Sequence, residues 1–413
     1  MVQPLQDSTN MTKENLNIAI VCGHFIPDIG YIEEQLAKAF SFLEHNTHVF
    51  TTNQISPSVK HILDGKQLKE GTETNNIYGY SITRLPVYFK LGQMVKSNGL
   101  FDALKKLEPD IIVVIGLGKL FPIPILDFKC GQSKLIVLLN DNEDSFSIEA
   151  GIKGVVQSIK KYILRTFFKN IAYIAAVKYA DKFITYTPST IDIVKTYIPI
   201  SLHKIFLSKT SKITLGYDHL QFYYDKSVRK TKRSELNLND QSILICTATR
   251  ITKFKNIERM VEIVSGLMEE GYDINYVIAG FGNDTYNKTL RKQIESHKHS
   301  NRITCLPFQD HKSLFQLFNA ADIGFWSIHI ITQYMAMGTG LPVILPNKKY
   351  LENIIIETKN GFLYSENGEG ESLKQTLENI NLNKFNREEL ASYNKSRYSF
   401  QTIAKQIITS VDL

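Results

Sequence analysis

The sequence predicts a doubly wound α/β fold, built twice along the chain. Two observations carry this reading. Short unbroken apolar runs alternate with amphipathic helical patterns, and the alternation starts afresh after about residue 210. Runs that are apolar throughout suit strands covered on both faces of a parallel sheet. Length agrees, because one core stops growing at roughly 250–300 residues and this chain has 413.

The first run, residues 16–22, is rich in Ile and Val and reads as the opening strand. A loop and a helical pattern over 31–43 follow. Further strands are predicted at 48–52, 110–115, 135–139 and 183–186, with helical segments between them. In the second half, strands are predicted at 242–247, 276–279, 302–306, 323–326 and 342–345. Helices are predicted between them at 257–267, 286–296, 312–319 and 332–337. Gly216-Tyr217-Asp218 supplies turn chemistry near the join. The stretch 225–240, dense in Lys, Arg, Ser and Asn, lies just inside the second half. The expected division is a flexible start (1–14), a first domain (15–209), a second domain (210–386) and a helical tail (387–413).

Composition narrows the function classes. Hydrophobic residues make up 43% and charged residues 22%, which is globular and neither disordered nor collagen-like. No apolar stretch approaches the roughly 20 residues that span a bilayer. The polar first fifteen residues predict no secretory signal. Cys22, Cys130, Cys246 and Cys305 are scattered, with no C-x-x-C pair. Cys22, Cys246 and Cys305 lie in or beside apolar runs, as buried thiols do, and a reducing cytoplasm is expected. The net charge of +7 suits an anionic ligand or membrane surface and does not by itself indicate nucleic acid.

Three segments hold candidate chemistry. The loop Gly23-His24-Phe25-Ile26-Pro27-Asp28-Ile29-Gly30 joins the first strand to the first helix. Glycine there permits close backbone approach, and a helix N-terminus favours an anion. In the second half, Thr249-Arg250-Ile251-Thr252-Lys253-Phe254-Lys255-Asn256 occupies the equivalent place. Arg250 and Lys255 are a loop's width apart, so a fork and a point charge can converge on one diphosphate. A solvated basic face is the plainer alternative. The third segment runs from Met335 to Ile344, through Gly338, Gly340 and Pro342, and reads by itself as a packed helix–strand corner.

The ordered set resembles glycosyltransferase family 4, whose members have the GT-B fold of two facing Rossmann-like domains. The resemblance covers about residues 15 to 410. Ile29-Gly30-Tyr31-Ile32-Glu33-Glu34 resembles its glycine loop and following helix, and Gly216-Tyr217-Asp218 its G-x-D turn. Thr249-Arg250-Ile251 with Lys255-Asn256 resembles G-R-L-x-x-x-K-G. Ile278-Ala279-Gly280-Phe281-Gly282 resembles I-x-G-x-G, and Met335 to Ile344 resembles E-A-M-A-x-G-x-P-V-I.

The resemblance implies a retaining transferase that moves a sugar from a UDP- or GDP-sugar to an acceptor hydroxyl. The second domain would hold the donor, the first a glycan or lipid-linked acceptor, and the C-terminal helix would cross back to the first domain. Arg250 and Lys255 would bind the diphosphate, and Gly30 would let its loop touch the same phosphates. Phe281 and Gly282 would lie near the nucleotide, and Phe308-Gln309-Asp310 would hold the base. Fixed cations would stabilise the leaving diphosphate without a metal or other cofactor. No Asp-x-Asp motif is present.

Two positions depart from the pattern. Aligned through Gly340 and Pro342, the two acidic residues of the family's E-x7-E motif fall on Ser327 and Met335. Met335 would then face the ribose, and a Glu in its place would tighten nucleotide binding. A His common after a mid-domain strand is absent. The corresponding stretch is Asn140-Asp141-Asn142-Glu143-Asp144, with Asp141 as candidate for a polar catalytic role at the acceptor. His24 at the end of the first strand is a second candidate to face the cleft, although a lone loop His is more often structural. His297 and His299 diverge near a helix end and do not read as a metal site.

Residues 152–178 carry Lys153, Lys160, Lys161, Arg165, Lys169 and Lys178 with no acidic residue. Phe167, Phe168, Ile171 and Ile174 lie among them. A basic helix of this kind can rest on an anionic bilayer, so peripheral attachment to the cytoplasmic membrane face is expected. The competing functions are a catalytically impaired partner or scaffold, motivated by Met335, and a sugar-nucleotide epimerase.

Overall fold

The structure is a computed structural model. It describes residues 15–27, 29–56, 67–126, 133–139, 152–186, 188–239, 241–348, 351, 354–356, 359–365, 368–381 and 385–412. The chain divides into two compact units, Met1–Thr214 with Ile403–Leu413, and Leu215–Thr402.

Unit 1 is built on an eight-stranded sheet. Its strands are β1 (Asn17–Cys22), β2 (Asn46–Thr52), β3 (Gly71–Thr74), β4 (Ser81–Leu85), β7 (Ile111–Ile115), β8 (Lys134–Leu139), β9 (Lys182–Thr185) and β10 (Thr210–Lys212). They lie in the order β10-β9-β8-β7-β1-β2-β4-β3, all parallel except β3. A separate hairpin pairs β5 (Val87–Leu91) with β6 (Met94–Ser97). The helices are α1 (Ile32–Phe42), α2 (Leu100–Leu107), α3 (Ile123–Leu126), α4 (Ile152–Tyr179), α5 (Pro188–Lys195) and α6 (Ile200–Ser208). Val21, Val114, Val137, Phe183 and the α4 residues Tyr173 and Ala176 form its core.

Unit 2 holds a six-stranded parallel sheet. Its strands are β11 (Ile243–Ala248), β12 (Ile274–Phe281), β13 (Ile303–Pro307), β14 (Ile323–Phe325), β15 (Val343–Pro346) and β16 (Gly361–Tyr364). The order β13-β12-β11-β14-β15-β16 is that of a Rossmann sheet. Successive β11 side chains enter opposite layers, as the pleat demands. Leu244 and Cys246 join one core with Phe318, Trp326 and Met337, while Ile243 and Ile245 join another with Val264 and Phe325. The helices are α7 (Lys226–Glu235), α8 (Ile257–Glu269), α9 (Thr285–Glu295), α10 (His311–Ala320), α11 (Ile331–Gly338), α12 (Glu369–Asn381), α13 (Arg387–Tyr398) and α14 (Phe400–Thr409), the last running on into unit 1. Asp225, Asp284, Asp310 and Asn386 cap α7, α9, α10 and α13 through their side chains, satisfying amides that the helix leaves open.

The helix–strand corner at Met335 to Ile344 has a clear physical basis. Gly338 lies under the Tyr217 ring, where a Cβ would stand 2.3 Å from a ring carbon. Gly340 adopts φ +69°, and a Cβ there would meet the Arg387 carbonyl oxygen at 2.1 Å. The half-buried Arg387 guanidinium donates to the carbonyls of Phe318, Ala321 and Thr339. It thereby satisfies the ends of both α10 and α11.

Boundaries differ from the sequence reading at two places. The first unit runs to Thr214 because β10 pairs with β9. The tail is two helices, and α13 belongs to unit 2, held by Arg387 and by Asn394 donating to the Met337 carbonyl.

Candidate functional site

In an open α/β sheet, ligands bind beyond the carboxyl ends of the strands, at the point where strand order reverses. In unit 2 that point lies between β11 and β14. The chain leaving β11 forms Thr249–Asn256. Gly280, at φ +116°, lets β12 press against it, since a Cβ there would stand 1.8 Å from the Thr249 carbonyl oxygen. The Ile251 amide donates to the Gly280 carbonyl at 3.3 Å. Asn287 is buried below the same loop. Its side chain accepts from the Gly282 amide at 3.0 Å and donates to the Ile251 carbonyl at 3.2 Å.

Arg250 is exposed on this loop, and its guanidinium has no hydrogen-bond or ion-pair partner among the described residues. Lys255 is half-buried, with its ammonium 4.9 Å from the centre of the Phe254 ring. Asn256 follows at φ 48°, a left-handed backbone that Asn tolerates better than most residues. It begins α8 without a side-chain cap, so the first helical amides stay open to an anion. Two cations and a helix N-terminus thus share one loop. Ser327, following β14, donates to the Lys255 carbonyl and fastens this loop across the reversal point.

The remaining candidates are placed as follows. Gly282 is exposed at the end of β12. Phe281 is 4% exposed and packs in the core beneath Arg291, so this segment can offer backbone but little of the ring. Phe308, just beyond β13, is 68% exposed and free to stack on a planar group. Asp310 is occupied in capping α10. Met335 is 5% exposed within the α11 core layer. The expectation that it faces a ribose meets a side chain buried in the same apolar cluster as Trp326, Tyr334 and Leu341. Residues 333–338 of α11 are all buried, so the helix is covered on every side and position 335 with it.

In unit 1, Gly30 has φ +80° as expected of its turn. Its amide donates to Glu34 at 2.9 Å, and Glu34 also pairs with Lys38 at 2.8 Å. The Gly30 N–H is therefore held by a buried carboxylate of the following helix. Asp141, Glu143 and Asp144 lie outside the described residues. On α4, Lys169 is 2% exposed and lies over the Tyr197 ring, so it is no part of a surface patch. Phe167, Ile171, Lys178 and Tyr179 are exposed on the same helix. The side chains of Lys153, Lys160, Lys161 and Arg165 lie outside the described residues. Among the described residues, no helix is long and apolar enough to cross a membrane.

Residues 228–397 match the family model described as Glycosyl transferases group 1. The fold is GT-B. Sucrose-phosphate synthase from Thermosynechococcus elongatus superposes with a TM-score of 0.63 at 16% identity, covering 96% of this chain and 98% of that one. HepE of Anabaena, in complex with UDP and glucose, gives 0.64 at 16% identity, covering 96% and 99%. The catalytic domain of starch synthase IV from Arabidopsis thaliana, bound to ADP and acarbose, gives 0.64 at 13% identity, covering 96% and 98%. Spore coat protein SA of Bacillus subtilis (strain 168) is 26% identical over 229 residues, a match spanning 49% of this chain and 58% of that protein.

Sequence reasoning missed two contributors to the loop's geometry. Asn287 sits one turn into a polar helix and reads as surface. Ser327 stands in the sequence where a Glu is expected, and nothing in the sequence marks the carbonyl it holds.

Proposed function

We propose that this protein is a retaining glycosyltransferase of family 4. It moves a sugar from a UDP- or GDP-sugar to the hydroxyl of a glycan or lipid-linked acceptor. The observation that carries the reading is the loop at the reversal point of the second sheet, where Arg250, Lys255 and the open N-terminus of α8 meet. Negative charge develops on the departing diphosphate, and fixed cations placed there lower the barrier. On this reading unit 2 holds the donor, unit 1 the acceptor, and no divalent metal is needed. Phe308 stacks on the base, the backbone at Gly282 approaches the nucleotide, and Asp141 serves the acceptor hydroxyl. HepE with UDP and starch synthase IV with ADP support a nucleotide-sugar donor. A surface glycan or glycolipid is the product, made on the cytoplasmic side of a membrane.

Met335 in place of an acidic residue, together with the absent mid-domain His, favours a second reading as a nucleotide-binding partner with impaired catalysis. Incubating the intact chain with a panel of nucleotide sugars and acceptors, with and without chelator, separates the two. Nucleotide release with glycoside formation, unaffected by chelator, supports the transferase. Nucleotide binding without turnover supports the partner. Turnover that needs Mg²⁺ or Mn²⁺ rejects the metal-free mechanism, and isomerised sugar indicates an epimerase.

A further inference from the structure

Gln333, the third residue of α11, is fully buried. The residues that follow it on the helix, Tyr334, Met335, Ala336 and Met337, are buried too, so an amide side chain there must bring its own partners. It finds them in the loop that enters the helix. Its side-chain oxygen accepts from the Ile330 amide at 3.0 Å, the usual reach of a glutamine at this position. Its side-chain nitrogen goes further and donates to the Ile328 carbonyl. One buried side chain therefore closes a ring around His329.

The same loop is anchored at both ends on one atom. The indole nitrogen of the buried Trp326 donates to the Ala248 carbonyl at 3.0 Å, and the Thr332 hydroxyl donates to that carbonyl at 2.8 Å. Ala248 ends β11, two residues before Arg250. Ser327, next to Trp326, holds the Lys255 carbonyl. β11 and β14 flank the reversal point, so the chains leaving them border the crevice where a ligand sits. Between the anchors, Ile328, His329 and Ile330 are half-buried. Gln333 fixes this span.

We propose that Gln333 is a positioning residue for the donor diphosphate. Its two hydrogen bonds hold the β14–α11 loop in the shape that completes the phosphate site begun by Arg250 and Lys255. The proposal rests on the transferase reading. Without the amide, the Ile330 N–H and the Ile328 carbonyl lose their partner and the loop must shift to find another. Ser327 moves with it, and so does its hold on the Lys255 carbonyl. A glutamate at 333 makes this dependence readable. Protonated, a carboxyl group has one donor and acceptor capacity besides, the pattern that the amide uses here. Ionised, it has no donor and sets a charge against the Ile328 carbonyl oxygen. Burial raises its pKa, so both states fall within a workable pH range.

The test compares the intact chain with its Gln333→Glu and Gln333→Met variants. Binding of UDP and of GDP is followed by calorimetry from about pH 5 to about pH 8.5, below the unfolding temperature of each protein. Each affinity is divided by the parent's at the same pH, which removes the titration of the nucleotide itself. Gln333→Glu should match the parent within about threefold at the acid end and fall about tenfold or more behind it at the alkaline end. Gln333→Met, which can make neither bond, should stay about tenfold weaker throughout. A merely structural role would lower unfolding temperatures and leave the affinity ratio of the folded protein flat across pH. A flat ratio for Gln333→Glu, or parent-like binding by Gln333→Met, overturns the proposal. Should Gln333→Met not fold, Gln333→Asn, whose amide is one methylene too short for both bonds, applies its criterion. A parent that binds neither nucleotide overturns the transferase reading together with this proposal, whereas the other two outcomes leave that reading standing.

Discussion

The hydroxyl of Ser327 donates to the backbone carbonyl of Lys255. This bond joins the chain leaving β14 to the chain leaving β11, one residue before the left-handed Asn256 that starts α8. Ser327→Ala removes the tie without touching either cation. Nucleotide affinity should fall several-fold and stability by about 1 kcal/mol, measured by calorimetry and thermal unfolding. Parent-like values for both would show that the loop holds its shape unaided.

Arg250 is exposed and makes no side-chain hydrogen bond or ion pair among the described residues. Arg250→Ala should therefore leave stability within about 0.5 kcal/mol of the parent. Its UDP or GDP affinity should drop about 10–100-fold. Lys255→Ala should lose a similar factor in binding. Retained affinity in both variants would remove the phosphate assignment.

Met335 lies in an apolar layer, 5% exposed. Met335→Glu would place a carboxylate there without a partner, at a cost of about 3–5 kcal/mol. Met335→Leu conserves volume and should cost less than about 1.5 kcal/mol. Denaturant midpoints will separate the two. A Glu variant as stable as the parent, with tighter nucleotide binding, would instead put position 335 against the ribose.

Acid should weaken unit 1 through His24. Its folded pKa of about 4 lies below the roughly 6.5 of an unfolded histidine, so folding favours the neutral ring. Its stabilising contribution is complete above pH 6.5 and drains away as pH falls towards 4, by about 3 kcal/mol in all. His329, also depressed to about 4 by burial, adds a loss of the same sign in unit 2. Denaturation curves between pH 7 and 4 should flatten in His24→Gln. A pH dependence identical to the parent's would mean that His24 is hydrated in solution.

Attachment to anionic vesicles through α4 should decline as salt rises, because the attraction is screened within a Debye length of about 8–10 Å. Phe167→Ser with Ile171→Ser should weaken it by removing exposed apolar area. Equal binding to neutral and anionic vesicles would exclude the electrostatic part.

The sheets were legible because buried parallel strands leave unbroken runs such as Ile111–Ile115 and Ile243–Ala248. β3, β4, β5, β6, β10 and β16 were not, and β3 and β10 show the reason most plainly. One is fully exposed and the other is three polar or charged residues long, so neither carries an apolar signature. The basic loop was legible by its place between a strand and a helix. The fate of the Gly30 amide was not, since nothing in the spacing of Gly30 and Glu34 says which of protein or ligand takes that proton. His24, as a lone histidine in a loop, reads in the sequence like any structural histidine. What distinguishes it is the lack of a hydrogen-bond partner for either nitrogen among the described residues, a property of every neighbour at once.

The last segment of the chain carries a temporal consequence. Ile403, Ala404, Ile407 and Ile408 are buried, and they belong to the unit that began at the other end of the chain. During synthesis the ribosome therefore makes most of unit 1, then all of unit 2, and only afterwards the residues that complete unit 1. The later-made unit has its whole sequence first, while the earlier one waits with an apolar surface uncovered. A stalled or prematurely terminated chain would strand that surface in water, where chaperones and proteases recognise unfinished proteins.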